Sequence, residues 1–249
     1  MCGRFVVARA TGDLVGDWAV DDVEGDDPPA SWNVAPTTEV RLIADRRPRA
    51  DADGGGTRRV LASARWGIVP PWARSPQGPP LINARVETVT EKPAFRKAVL
   101  ARRAIVPADG YYEWQATPEG KLPVYLHAED EGPLAFAAVY EHWRDPAVAE
   151  GQPGAWLRSL AILTSAASDA LGRIHDRTPV IVPRDRLDDW LDVGTAAVDD
   201  VRYLLASLPE PRLVPRRVST RVNSVRNDGR DLIAPVDDVP AGGGQPTLL

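Results

Sequence analysis

Hydrophobic positions along this chain recur mostly with a period of two. Tyr111 to Gln115, Val124 to His127 and Leu134 to Val139 are short runs rich in β-branched or aromatic residues, the pattern of strands. Glu39 to Ala44, Val60 to Val69, Ala104 to Val106 and Leu157 to Thr164 read the same way. Pro179 to Val182 and Val214 to Val222 complete the set, and Pro70-Pro71-Trp72 stops the second of these runs. Helical spacing is rarer. It predicts short helices at Leu14 to Val20, Ala167 to Ile174, Arg184 to Leu191 and Ala196 to Leu205, the last with Val201, Leu204, Leu205 and Leu208 one turn apart. Thr90 as N-cap and Pro93 in the first turn predict another, running to about Leu100. Strands predominate and long helical crossovers do not alternate with them. The expected fold class is therefore α+β, with a mainly antiparallel, barrel-like sheet core and short flanking helices.

Three stretches interrupt the pattern. Asp45 to Arg59 is charged and ends in Gly54-Gly55-Gly56, a composition that buries no core and reads as a flexible surface insertion. The pieces on either side look incomplete alone, so it marks no domain boundary. Asp145 to Gly154 is a second loose segment, and the tail 241–249 is expected to be disordered. Residues 1–240 read as a single domain, with no internal repeat.

Composition narrows the function classes. One cysteine in 249 residues excludes an intrachain disulfide framework and a Cys-based metal site, and no cofactor or metal is implied. No apolar run approaches the roughly 20 residues that span a bilayer. The N-terminus lacks a charged stretch followed by an apolar one, so a reduced, cytoplasmic setting is expected. No apolar stripe demands a partner subunit, and a monomer is expected. The net charge of −5 weighs against nucleic acid, yet local clustering of charge matters more for phosphate binding than its sum.

Cys2 stands where removal of Met1 would make it the N-terminal residue. It would then carry a thiol and an α-amine on adjacent carbons, the amine with a reference pKa of about 8. Such a 1,2-aminothiol forms an imine with an aldehyde and closes to a thiazolidine, or acts as an N-terminal nucleophile in amide hydrolysis. A lone cysteine also commonly packs as a small hydrophobe. Gly3 lets backbone approach a ligand closely, and Arg4 suits an anionic one. Glu113 sits among aromatic residues in Gly110-Tyr111-Tyr112-Glu113-Trp114, with Tyr112 and Trp114 on one strand face and Tyr111, Glu113 and Gln115 on the other. An acid in that setting has a raised pKa, useful for proton transfer. His175 lies in a loop among Arg173, Asp176 and Arg177 and suits general acid work. Asn33, Asn83 and Arg85 are polar residues inside apolar segments, more commonly satisfied structural groups than members of a site. Trp66 and Trp72 bracket Pro70-Pro71 and offer the kind of aromatic platform that holds single-stranded nucleic acid, although Trp is also an ordinary core residue.

Met1-Cys2-Gly3-Arg4-Phe5, Trp32-Asn33-Val34-Ala35-Pro36-Thr37, Asn83-Ala84-Arg85-x-Glu87-Thr88, Gly110-Tyr111-Tyr112-Glu113-Trp114 and His175-Asp176-Arg177-x-Pro179-Val180 occur in that order. Together they resemble the SOS-response-associated peptidase (SRAP) family, over nearly the whole chain. The resemblance implies loss of Met1 and a covalent cross-link from Cys2 to abasic sites in single-stranded DNA, through imine and thiazolidine. It implies Glu113 as the catalytic glutamate at the Cys2 amine and His175 as a helper in sugar ring opening. Asn33, Asn83, Arg85 and Arg177 match positions that shape the site or hold DNA phosphates. Action on peptides, or only on the chain's own Met1, is the alternative that the family name preserves. Thr178, where relatives usually have Met, and the 45–59 insertion depart from the family pattern.

Overall fold

A computed structural model describes residues 2–47, 56–118, 120–167, 173–194 and 197–236. In chain order the strands are β1 Arg4–Val7, β2 Asp22–Val23, β3 Ser31–Val34, β4 Glu39–Arg46, β5 Arg58–Trp66, β6 Asn83–Arg85 and β7 Arg103–Ala108. They continue as β8 Gly110–Thr117, β9 Gly120–Ala128, β10 Leu134–Arg144, β11 Trp156–Ala166, β12 Arg177–Pro179 and β13 Leu213–Arg217. The helices are α1 Thr11–Asp17, α2 Arg96–Ala101, α3 Leu187–Leu191 and α4 Val198–Ser207.

Five strands close on themselves. β5 pairs β4, β4 pairs β7, β7 pairs β10 and β10 pairs β11, all antiparallel. A parallel pairing, Leu160 opposite Trp66, joins β11 back to β5 and completes the barrel. Closure removes the exposed sheet edges that would otherwise invite aggregation. Strand β10 shows why its sequence reads as one continuous apolar run. Leu134, Phe136, Ala138 and Tyr140 enter one core, while Ala135, Ala137 and Val139 enter another with residues of α1, α2 and α3. A strand covered on both faces needs apolar residues at every position.

A second sheet, ordered β13–β9–β8–β1–β3 and wholly antiparallel, covers the first of those cores. Phe5, Val7, Tyr111 and Leu126 point inward, and Phe5 meets Trp66 edge to face at 4.9 Å between ring centroids. Val6, Tyr112 and Tyr125 point outward under Val218, Val222 and Leu232 of the C-terminal segment. The fold is thus α+β with a mainly antiparallel, barrel-like core, as the patterning predicts.

Several boundaries differ from the sequence reading. The ends of the 45–59 stretch belong to the β4–β5 hairpin, where Asp45 opposes Arg59 and bonds it at 2.8 Å. Residues 48–55 of that stretch, residues 168–172 of the helix expected after Ala167, and the tail lie outside the described residues. The helix expected from Thr90 begins only at Arg96; Pro93 has no N–H to continue the bonding ladder from Lys92. The last strand ends at Arg217, and Thr220–Asn223 form a 3-10 turn capped by Ser219. Strand β1 has only four residues, too few for periodicity to reveal. Among the described residues no helix is long and apolar enough to cross a membrane.

Candidate active site

Strand β1 lies between β3 and β8, with Arg4 opposite Tyr112, Phe5 opposite Tyr111 and Val6 opposite Gly110. The same register, continued, brings half-buried Gly3 level with Glu113, so the chain start and the β8 carboxyl share one end of the sheet. Cys2 is fully buried in the core with Phe5 and Tyr111. Asn83, on β6, donates from Nδ2 to the Cys2 carbonyl at 2.9 Å, and its Oδ1 is buried without a hydrogen-bond partner. Burial pushes the Cys2 thiol well above its usual range, and the nearby Glu113 charge adds to the shift. The resting sulfur is therefore S–H and not thiolate.

Glu113 is buried at 3% exposure. Desolvation raises its carboxyl above the usual range, against the positive charges of the chain's N-terminal amine and of His175. Such an acid keeps its proton nearer neutrality and can hand it over. His175 Nδ1 lies 3.0 Å from the Arg177 backbone N–H and 2.8 Å from Asp176 Oδ1. In the neutral ring Nδ1 accepts from Arg177, which places the proton on Nε2; in the charged ring Nδ1 donates to Asp176. Both forms of the imidazole thus have a partner.

Glu113 and His175 share an open cleft of about 580 Å³ with Arg85, Trp114, Lys121, Asp176 and Arg177. Exposed Arg85 and Lys121 give it cationic walls. Trp114 is held from two sides: its Nε1 donates to Asn223 Oδ1 at 2.7 Å, and the Arg4 guanidinium lies 5.9 Å from its ring centroid. That fixes a flat aromatic wall beside the carboxyl.

The other predicted residues divide sharply. Arg4 donates to Asn33 Oδ1 at 2.6 Å and to the Val222 and Asn223 carbonyls. Buried Asn33 donates in turn to the carbonyls of Val222, Ser224 and Asn227. Both residues therefore tie the C-terminal segment to β1 and β3. Arg177 is buried, forks onto half-exposed Glu87 at 2.6 and 3.0 Å and reaches the Thr164 carbonyl at 2.5 Å, so its charge is paired within the chain. Trp66 corrects the sequence reading: at 0% exposure, with Nε1 bonded to the Ile82 carbonyl, it is core and presents no stacking surface. Trp72 is 59% exposed, on a loop whose Ala73 carbonyl is held by Trp143 Nε1 at 2.7 Å. Sequence reasoning missed Trp114 and Lys121 as cleft residues. Trp114 stood inside a motif already noticed, whereas an exposed lysine has no pattern to betray it.

Fold and site together define a β-barrel protein with a buried cysteine at the start of a central strand, beside a carboxyl and an imidazole in a cationic, aromatic-walled cleft. The chain belongs to the SOS response associated peptidase (SRAP) family, whose model matches residues 1–225. It is 35% identical over 237 residues to the abasic site processing protein YoqW of Bacillus subtilis (strain 168), covering 94% of this chain and 99% of YoqW. The abasic site processing protein YedK of Escherichia coli (strain K12) is 30% identical over 242 residues, covering 95% of this chain and all of YedK. Among solved structures, a protein from Bacteroides thetaiotaomicron shares the fold with a TM-score of 0.74 at 19% identity, covering 94% of this chain and 100% of that one. A Bordetella bronchiseptica protein reaches 0.70 at 28% identity, with 88% and 100% covered.

Proposed function

We propose that this chain processes abasic sites in single-stranded DNA by linking them covalently to Cys2 after Met1 is removed. The observation that carries the reading is the grouping of Cys2, Glu113 and His175 at one end of the sheet, beside a cleft walled by Arg85 and Lys121. The names of the YoqW and YedK relatives support the substrate class.

The chemistry balances without a co-reactant. The freed Cys2 α-amine adds to C1′ of the ring-opened sugar aldehyde, and the resulting hydroxyl leaves as water to give the imine. The Cys2 S–H then adds across the C=N bond, sulfur to carbon and hydrogen to nitrogen, closing the thiazolidine. One water is lost overall. A thiol held as S–H by burial lets the amine react first. Glu113, whose proton desolvation holds more tightly than usual, gives that proton to the departing hydroxyl and takes one back from the amine. His175, held between the Arg177 backbone N–H and Asp176, passes a proton to the sugar oxygen as the ring opens. Gly3 leaves room beside Cys2, Asn83 holds the Cys2 carbonyl, and Arg85 faces the strand's phosphates. Trp72 and Trp114 supply surfaces for the flanking bases. Arg4, Asn33 and Arg177 act by bracing these groups.

Intact-mass spectrometry before and after incubation with an abasic oligonucleotide tests the reading. Expected are a protein lacking Met1, then a heat-stable species heavier by the oligonucleotide less one water. Cys2→Ala is expected to lose that species while keeping weaker, salt-sensitive binding. The same adduct from Cys2→Ala would overturn the proposal. A processed wild type with no adduct, but with Cys2-dependent turnover of peptides, would replace it with peptide hydrolysis.

A further inference from the structure

The outer face of the second sheet carries a cavity of about 360 Å³, where Val6 and Tyr125 point away from the core that holds Cys2. That volume lies within the roughly 300–1,000 Å³ usual for small-molecule pockets. Three aromatic residues, Trp32, Tyr125 and His127, line it together with Arg9, Arg216 and Arg230. Tyr125 and His127 are stacked, 5.4 Å between ring centroids at 21°.

His127 is 5% exposed. Its Nδ1 lies 2.8 Å from the Ala128 carbonyl, and a carbonyl only accepts, so Nδ1 carries the proton and Nε2 is left with a lone pair. Nε2 is buried and has no partner. Buried acceptors without a donor are uncommon, and this one belongs to a residue of the cavity wall. The charges are unequal as well. Arg9 is matched by Asp109 at 2.8 Å and Arg216 by Glu131 at 3.0 Å. Arg230 is exposed and has no ion pair among the described residues, which leaves one positive charge over.

We infer that this cavity is a nucleotide subsite, separate from the Cys2 cleft. His127 Nε2 accepts from the amino group of a base such as adenine or cytosine, the aromatic wall lies along the ring, and Arg230 takes the phosphate. The ligand is either a free mononucleotide or one residue of a DNA strand passing over this face. The inference does not depend on the Cys2 reaction, so either can fail alone.

Calorimetric titration of the whole chain tests it with dAMP, with 1,2-dideoxyribose 5-phosphate, which lacks both the base and the aldehyde that Cys2 would capture, and with an intact oligo-dA strand. Wild type is expected to prefer dAMP over the base-free sugar phosphate. Arg230→Ala is expected to weaken dAMP about tenfold through loss of a charge-assisted contact. His127→Phe, which keeps a flat ring, is expected to erase the preference for the base. Displacement of dAMP by oligo-dA would identify the strand as the source; dAMP bound alongside it would identify the free nucleotide. Equal binding of the base-free sugar phosphate by wild type, or unchanged dAMP binding in Arg230→Ala, would overturn the inference. Arg230 is a surface residue, so that variant carries the test should His127→Phe not fold.

Discussion

Glu113 and Glu87 are tuned in opposite directions by what surrounds them. Burial raises Glu113, so the folded chain holds that proton more tightly than the unfolded chain. Its contribution to stability is present at low pH and declines as pH rises from the usual carboxylate range through the raised value. Glu113→Gln is therefore expected to melt above wild type at pH 8, with the gap closing by pH 4, at about 2–4 °C per kcal/mol. Glu87 is lowered by its hydrogen bond to Arg177. Its stabilisation is full above the usual range and is lost as pH falls through the depressed value. Glu87→Gln is expected to cost about 1–2 kcal/mol at pH 7, since the carboxylate is half exposed and partly screened, and nothing at strongly acid pH. Urea denaturation across pH measures both. A result of the same sign for the two variants would contradict the assigned environments.

Among the elements, β8 depends most on a single small residue. A Cβ at Gly110 would lie 2.5 Å from the Leu126 carbonyl of β9 and from the Tyr125 ring. Backbone there has no room to yield, so β8 would shift and carry Tyr111 and Glu113 with it. Gly110→Ala is expected to destabilise by roughly 1–3 kcal/mol, the usual cost of overpacking, and to slow adduct formation. Denaturation midpoints and single-turnover adduct kinetics check the two parts. This strand was also the most legible. Its alternation separates Tyr112 and Trp114 from Tyr111 and Glu113, and the structure sends the first pair to the outer cluster and Tyr111 to the inner core. By contrast, the Asp45 to Arg59 stretch hid strand ends, because Arg–Asp pairs stabilise a hairpin that composition alone marks as loop.

At the scale of the molecule, the first strand and the segment after β13 are tied together. Arg4 Nη1 bonds the Val222 carbonyl across 218 residues of sequence, and Val218, Val222 and Leu232 pack on the outer face of β1, β8 and β9. Leu232 is 1% exposed there. Leu232→Ala is expected to cost about 2–5 kcal/mol, as buried leucine truncations do. It should also weaken single-strand binding, because Asn223 and the Val222 carbonyl would no longer hold Trp114 and Arg4 in place. Urea melts and fluorescence anisotropy with a labelled strand would register both losses.

The sequence by itself determined the fold class and the strand alternation, and it singled out Cys2, Glu113 and His175 as candidates. Periodicity of two and ordered motifs are local properties, readable along one dimension. Only the tertiary structure decided which polar residues are spent on the fold. Arg4 reads as suited to an anion, and Asn33 and Arg177 as residues that shape a site or hold phosphates, yet their partners Val222, Asn227 and Glu87 lie 218, 194 and 90 residues away. Trp66 and Trp72 stand six residues apart, yet one is sealed in the core and the other is exposed. Burial and charge pairing belong to the packed chain, and no spacing along the sequence encodes them.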